Sequence, residues 1–206
     1  MTGAVILAAG GSSRFGEPKQ LIRFRGKSLV RRIIDAACEA GCSPVVVVIG
    51  SEDEKLHREL DRTNVITAQN QQWTRGIGSS IRCGIQALIS SAPDVEASVL
   101  LVCDQPAVDT RAIERLIALR ETTGKSIIAS SYANTLGVPA LFTRSVFGEL
   151  LSLGDEAGAK SIILRNPEGV AQFQFPEGEI DVDTWSDWQK LNQGGHPERS
   201  EGSHTS

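Results

Sequence analysis

Histidine is almost missing from this chain. Of three in 206 residues, His196 and His204 fall in a polar C-terminal stretch, leaving only His57 within the patterned part. Ser-His-Asp and Cys-His mechanisms therefore lack their base, which removes a large share of hydrolase chemistry. Long apolar runs are missing too. None approaches the ~20 residues that cross a bilayer, and no basic stretch leads into an apolar one at the N-terminus. Neither a membrane span nor a signal peptide is expected, and a cytoplasmic location follows. There is no basic excess: the net charge of −4 argues against a general nucleic-acid binder while leaving room for a local cationic pocket. Cysteines number four. Cys38 and Cys42 have no second pair at ligand spacing, so reduced, mostly buried thiols are expected rather than a metal–thiolate centre.

What is present is an alternation of apolar runs and helical patterns. Residues 4–8, 44–49 and 97–103 are continuous apolar or β-branched stretches with no polar alternation, the signature of strands buried on both faces. Shorter strands are expected at 65–66, 126–130 and 139–142, and late ones at 170–175 and 180–182. Between them, residues 28–40 repeat Leu29, Ile33, Ala37 and Val30, Ile34, Cys38 at four-residue spacing, with Ser28 and Gly41 as end signals. Further helices are expected at 52–61, at 77–90, from Asp109 to about 122, at 144–152 and at 156–165. The order implies an α/β fold: a Rossmann-like, mostly parallel sheet sandwiched by helices. Residues 1–192 read as a single domain, and 193–206, which hold no large apolar residue, as a disordered polar tail.

In such sheets ligands sit beyond the carboxyl ends of the strands, so chemistry is sought after Ala8, Ile49 and Cys103. After the first strand comes Gly10-Gly11-Ser12-Ser13-Arg14, then Pro18-Lys19. Glycine lets backbone approach a ligand, amides and hydroxyls can donate to phosphate oxygens, and Arg14 and Lys19 bring two kinds of cation. The loop is neither of the two common nucleotide loops. Gly11 and Gly16 have the P-loop spacing, but Glu17 stands where lysine is required, and G-x-G-x-x-G is not met. The same residues would also serve as a plain turn with solvated cations. After the strand ending at Cys103, Asp104 is placed to hold Mg²⁺ alongside substrate phosphates, or to cap a turn before Pro106. Asp181 and Asp183 share a face if extended; Asp183 is either a second metal carboxylate or a helix cap. The stretch Asn70–Ser80, rich in amides, glycine and serine, can read a nucleoside, with Trp73 as a wall or as part of the core.

Taken together, LAAGGSSRFGEPKQL (residues 7–21), NQQWTRGIGSS (70–80), CDQP (103–106), GVPALF (137–142), GDEAGAK (154–160) and DVDT (181–184) resemble the molybdopterin cytidylyltransferase family of the NTP-transferase superfamily, over residues 4 to about 190. That resemblance implies a fold of the nucleotide-diphospho-sugar transferase type. It implies transfer of CMP from CTP to the phosphate of a molybdopterin acceptor, with pyrophosphate released and Mg²⁺, or Mn²⁺, as cofactor. Leu7, Ala8, Ala9, Gly10, Gly11, Ser12, Ser13, Arg14, Lys19, Gly76, Ser79 and Ser80 would bind the nucleotide. Lys19, Arg14 and Asp104 would carry catalysis, and Asp104 and Asp183 the metal. Gly137 to Pro139, Asp155 and Lys160 would lie towards the pterin. A molybdoenzyme, or its chaperone, would receive the product.

The guanylyltransferases of the same pathway usually read L-A-G-G where this chain has Leu7-Ala8-Ala9-Gly10. Methylerythritol-phosphate cytidylyltransferases carry a different Asp motif from CDQP. Where related chains often have Gly-His-Pro, this one has Gly137-Val138-Pro139. Besides GTP and other phosphate acceptors, a nucleotide-binding regulator or chaperone of a molybdoenzyme, without turnover, is the alternative from another class.

Overall fold

The structure, a computed structural model, describes residues 1–10, 18–50, 54–61, 63–179 and 188–189. Its centre is a seven-stranded sheet. In chain order the strands are β1 (Thr2–Leu7), β4 (Val45–Ile49), β5 (Ile66–Gln69), β6 (Ala97–Val102), β7 (Ile127–Tyr132), β8 (Thr135–Thr143) and β9 (Val170–Gln174); β2 (Arg23–Phe24) and β3 (Lys27–Ser28) form a separate small hairpin. Across the sheet the order is β5-β4-β1-β6-β8-β7-β9. All neighbours pair in parallel except β8, which runs antiparallel to both β6 and β7. The expected mostly parallel α/β sheet is what is found.

The strands are continuous apolar runs because both faces are covered. Along β1 and β4, Ala4, Ile6, Val45, Val47 and Ile49 enter one core with the buried sides of α1 (Leu29–Glu39), α2 (Glu54–Leu60) and α4 (Thr110–Thr123). The alternate residues Val5, Val46 and Val48 enter the other, with α3 (Ile77–Ser91), α5 (Phe147–Leu151) and α6 (Lys160–Arg165). This period-two division is the strand geometry itself. Gly84 lets α3 lie close on the sheet, since a Cβ there would stand 2.4 Å from Val5 Cγ1.

Helix ends follow their local signals. Ser28 Oγ accepts from the Arg31 amide at 3.2 Å and Asp109 Oδ1 from the Ala112 amide at 2.8 Å. Gly41, at φ +80°, closes α1 with the Cys42 amide donating to the Ala37 carbonyl, a Schellman arrangement.

Several boundaries differ from expectation. β1 starts at Thr2 and ends at Leu7, so Ala8 already lies in the loop. β5 runs to Gln69, and β8 has nine residues where a short strand was expected. α6 starts only at Lys160, because Gly154–Ala159 form turns. Cys42 and Cys103 are buried and Cys83 half-buried, but Cys38 is exposed, and all four are free. Burial pushes the Cys42 thiol up to about 12. The strand expected at 180–182 and the tail 193–206 lie outside the described residues.

Candidate active site

β1 is where the sheet's connections change direction: β4 lies on one side of it and β6 on the other. A parallel sheet opens its ligand crevice at such a point, beyond the carboxyl ends of the strands. Ala8, Ala9 and Gly10 leave β1 there, and Cys103 and Asp104 leave β6 beside them. The Ala8 amide still donates to the Val48 carbonyl at 2.8 Å, so the loop departs from an anchored base.

Pro18 then leads into a short 3-10 turn, Lys19–Leu21. Gln20, only 5% exposed, donates from Nε2 to the Ala8 carbonyl at 2.7 Å and to the Gly10 carbonyl at 3.0 Å. One buried amide thus holds the return of the glycine-rich segment against its departure. Sequence reasoning gave Lys19 a role and passed over Gln20. Its signal was a polar residue between Lys19 and the apolar Leu21-Ile22, but nothing local says what it bonds.

The same turn sends Lys19 across the crevice. Its Nζ stands 2.9 Å from Asp104 Oδ2, with the side chains 19% and 29% exposed. The expected phosphate cation and the expected metal carboxylate, 85 residues apart, therefore meet directly. Asp104 is supported from behind: Arg32 reaches the Pro106 carbonyl at 3.4 Å, and buried Gln105 donates to the Gly178 carbonyl at 3.0 Å. Among the described residues no group of three or more His, Cys, Asp or Glu could hold a metal. Asp104 is the kind of hard oxygen donor a divalent cation takes alongside phosphate oxygens.

The Asn70–Ser80 segment is organised inward. Asn70 Nδ2 donates to Ser79 Oγ at 2.9 Å and Ser80 Oγ at 3.0 Å, and Ser79 Oγ donates to the Gln72 and Gly76 carbonyls. Both serines are buried. Their hydroxyls fasten the start of α3 to the end of β5, which is where the structure places the two serines expected to bind the nucleotide. Trp73 is half-buried against the core, and a Cβ on Gly50 would stand 2.6 Å from its ring and 2.8 Å from the Ala9 carbonyl. Gly76 is held at φ +132° against the backbone of Asp155.

Beside Leu7 and Val102, at the same edge of the sheet, opens a cleft of about 190 Å³. Its walls are mainly apolar: Leu7, Ile77, Ile81, Leu100, Val102, Leu136 and Val138, with Tyr132, Thr135 and Lys160 as polar side chains. Tyr132 donates to the Val138 carbonyl at 3.0 Å, and a Cβ on Gly137 would stand 2.6 Å from its hydroxyl. Of the residues expected on the acceptor side, Gly137, Val138 and Lys160 line this cleft. Asp155 does not: its carboxylate is taken by Arg75 and Arg82, and Arg82's hydrogen bond holds it below the usual aspartate range. Gly11, Ser12, Ser13, Arg14 and Asp183 lie outside the described residues.

Comparison with known proteins shows likeness over most of the chain. The model of the MobA-like NTP transferase domain matches residues 4–170. Rv0371c from Mycobacterium tuberculosis H37Rv superposes with a TM-score of 0.76 at 30% identity, over 94% of this chain and 98% of that one; a second Rv0371c structure is a complex with manganese. The bifunctional protein GlmU of Syntrophotalea carbinolica is 33% identical over 159 residues, 74% of this chain but 31% of that protein, so the chain spans about a third of this relative. Nicotine blue oxidoreductase of Paenarthrobacter nicotinovorans is 28% identical over 142 residues, 68% of this chain and 66% of that one.

Proposed function

The chain belongs to the family of MobA-like NTP transferase domains and is a nucleotidyltransferase, and from that premise we propose that it transfers CMP from CTP to the terminal phosphate of a molybdopterin-type acceptor, releasing pyrophosphate. The observation that carries the reading is the Lys19–Asp104 pair at the switch-point edge of the sheet, the edge at which the apolar cleft also opens. One part suits a triphosphate with its cation, the other a flat ring system.

In this reading an acceptor phosphate oxygen attacks the α-phosphorus of CTP. The new O–P bond forms as the bond to the β-phosphate bridging oxygen breaks, and pyrophosphate leaves with that electron pair. The attacking oxygen is already anionic, so no base has to remove a proton. That suits a chain with so little histidine. Catalysis then rests on alignment and on neutralising charge. Asp104 would hold the divalent cation, Mg²⁺ or Mn²⁺, which when bound offsets phosphate charge, with Asp183 as its proposed second carboxylate. Lys19, released from Asp104, would turn its ammonium to the α-phosphate, and Arg14 with the Gly10–Ser13 loop would take the β- and γ-phosphates. The cleft would take the acceptor ring against Leu136 and Val138, with Lys160 at its phosphate end. Ala9, where guanylyltransferases usually carry glycine, supports CTP over GTP. The oxidoreductase relative does not redirect the reading, because G-x-G-x-x-G is not met here.

Pyrophosphate release measured with CTP, GTP, ATP and UTP, each with molybdopterin and Mg²⁺, tests the reading. CTP should turn over fastest, and only with acceptor present. Turnover confined to GTP would reassign the nucleotide, and no acceptor dependence would remove molybdopterin.

A further inference from the structure

The loop after α5 is fastened to the start of α3, with the Asp155 side chain at the centre of the contact. Asp155 uses both carboxylate oxygens: Oδ2 forms an ion pair with Arg75 Nε at 2.8 Å, and Oδ1 accepts from Arg82. Arg82 also donates to the Leu153 carbonyl, so its guanidinium fastens the loop at two points. The Asp155 carbonyl in turn accepts the Gly78 amide at 2.8 Å. The fit has no room for side chains. A Cβ on Gly78 would stand 2.0 Å from the Gly154 carbonyl oxygen, and one on Gly76 2.5 Å from that of Asp155.

One of the two bodies joined here reaches both halves of the site, since α3 also gives Ile77 and Ile81 to the cleft, while the other walls the cleft alone. Arg75 sits on the turn after Asn70, at the carboxyl edge of the sheet, and α3 is tied to Asn70 through Ser79 and Ser80. Beyond Asp155, the loop runs into Gly158, Ala159 and Lys160, which wall the apolar cleft together with Ile77. Asp155, which does not line the cleft, therefore fixes that wall against α3 and the turn that carries Arg75.

We propose that Asp155 is a positioning residue for the transfer reaction: by holding Arg75 and Arg82 at once, it sets the place of the cleft wall relative to the nucleotide edge. The proposal rests on the cleft being the acceptor subsite. An isolated surface ion pair would contribute almost nothing, whereas a misplacement near 1 Å between reacting groups can cost about a hundredfold in rate.

The test uses Asp155→Asn, Asp155→Glu and, as a variant at an exposed position that removes a single arm, Arg75→Ala. CTP affinity of the free enzyme is measured by calorimetry, acceptor KM and kcat by pyrophosphate release, and local opening by amide hydrogen exchange without substrates. Asp155→Asn should leave CTP affinity within about twofold, raise acceptor KM and lower kcat together by about ten- to a hundredfold, and speed exchange in both 76–80 and 153–160. Asp155→Glu should recover part of the loss, and Arg75→Ala should show a smaller change of the same kind. Faster exchange with unchanged KM and kcat would overturn the positioning role, as would a parallel loss of CTP affinity. A wild-type enzyme that releases no pyrophosphate with CTP and molybdopterin would instead sink the functional reading, and this proposal with it.

Discussion

The two halves of the proposed site are made of different materials. The proposed nucleotide side is a meeting of charges, Lys19 with Asp104, beyond the ends of β1 and β6. The proposed acceptor side is a cleft of aliphatic walls, closed by α3, β8 and the start of α6. Charge acts over distance and needs only its carrier in the right place. Apolar walls act by contact, so their shape depends on every element that packs behind them. Loss of a charge should therefore abolish turnover with the fold intact, while a change in the cleft should alter which acceptor is used.

Four experiments sharpen that contrast, in order of expected effect. Asp104→Ala should lower divalent-metal-dependent pyrophosphate release on the order of 10²–10³-fold, with an unchanged circular dichroism spectrum. Near-normal activity would take Asp104 out of the metal site. Lys19→Gln should cost on the order of a hundredfold in kcat, yet tighten Mn²⁺ binding in the absence of nucleotide, because Asp104 is freed of its partner. Weaker Mn²⁺ binding would break the picture of competition at this carboxylate. Val138→Asp should raise acceptor KM by about tenfold, through an unpaired charge on an apolar wall, and leave CTP affinity unchanged. A change in CTP affinity instead would mean the two halves are not separate.

The smallest effect concerns pH. Arg82's hydrogen bond lowers the Asp155 carboxyl below its ordinary value of 3.8, with Arg75 adding to it. A depressed carboxylate stabilises the fold above its unfolded value and loses that contribution as pH falls through its folded one. The melting temperature of Asp155→Asn should therefore lie below wild type near neutrality and converge with it below about pH 3.8. A gap that persists in acid would assign the difference to packing instead.

The same contrast explains what could be read from the chain. β1, β4 and β6 were legible because burial on both faces leaves an unbroken apolar run, as in Val45–Ile49. Lys19 and Asp104 were legible because such strands end at the ligand edge. The hairpin at 23–28 was not, since it depends on Arg25 and Gly26 both adopting positive φ, a conformation arginine seldom advertises. β8 was cut short because Gly137 and Pro139 interrupt its pattern while Tyr132 packs over the gap. Ser79 and Ser80 sat in a motif suited to ligand reading, but their hydroxyls went to Asn70, nine and ten residues back. Gln20 was passed over, and Asp155 was placed only towards the pterin by resemblance, for the same reason. Each is defined by partners that only the folded chain brings near, such as Arg82, 73 residues from Asp155.

The most direct trial of this division between a charged nucleotide edge and an apolar acceptor cleft is the mass of the product. Purified protein is incubated with CTP, molybdopterin and Mg²⁺, and the acceptor is recovered and weighed. The account predicts an acceptor heavier by one CMP unit, formed in step with pyrophosphate. Unmodified acceptor, or one that gains a nucleotide from GTP alone, would contradict it.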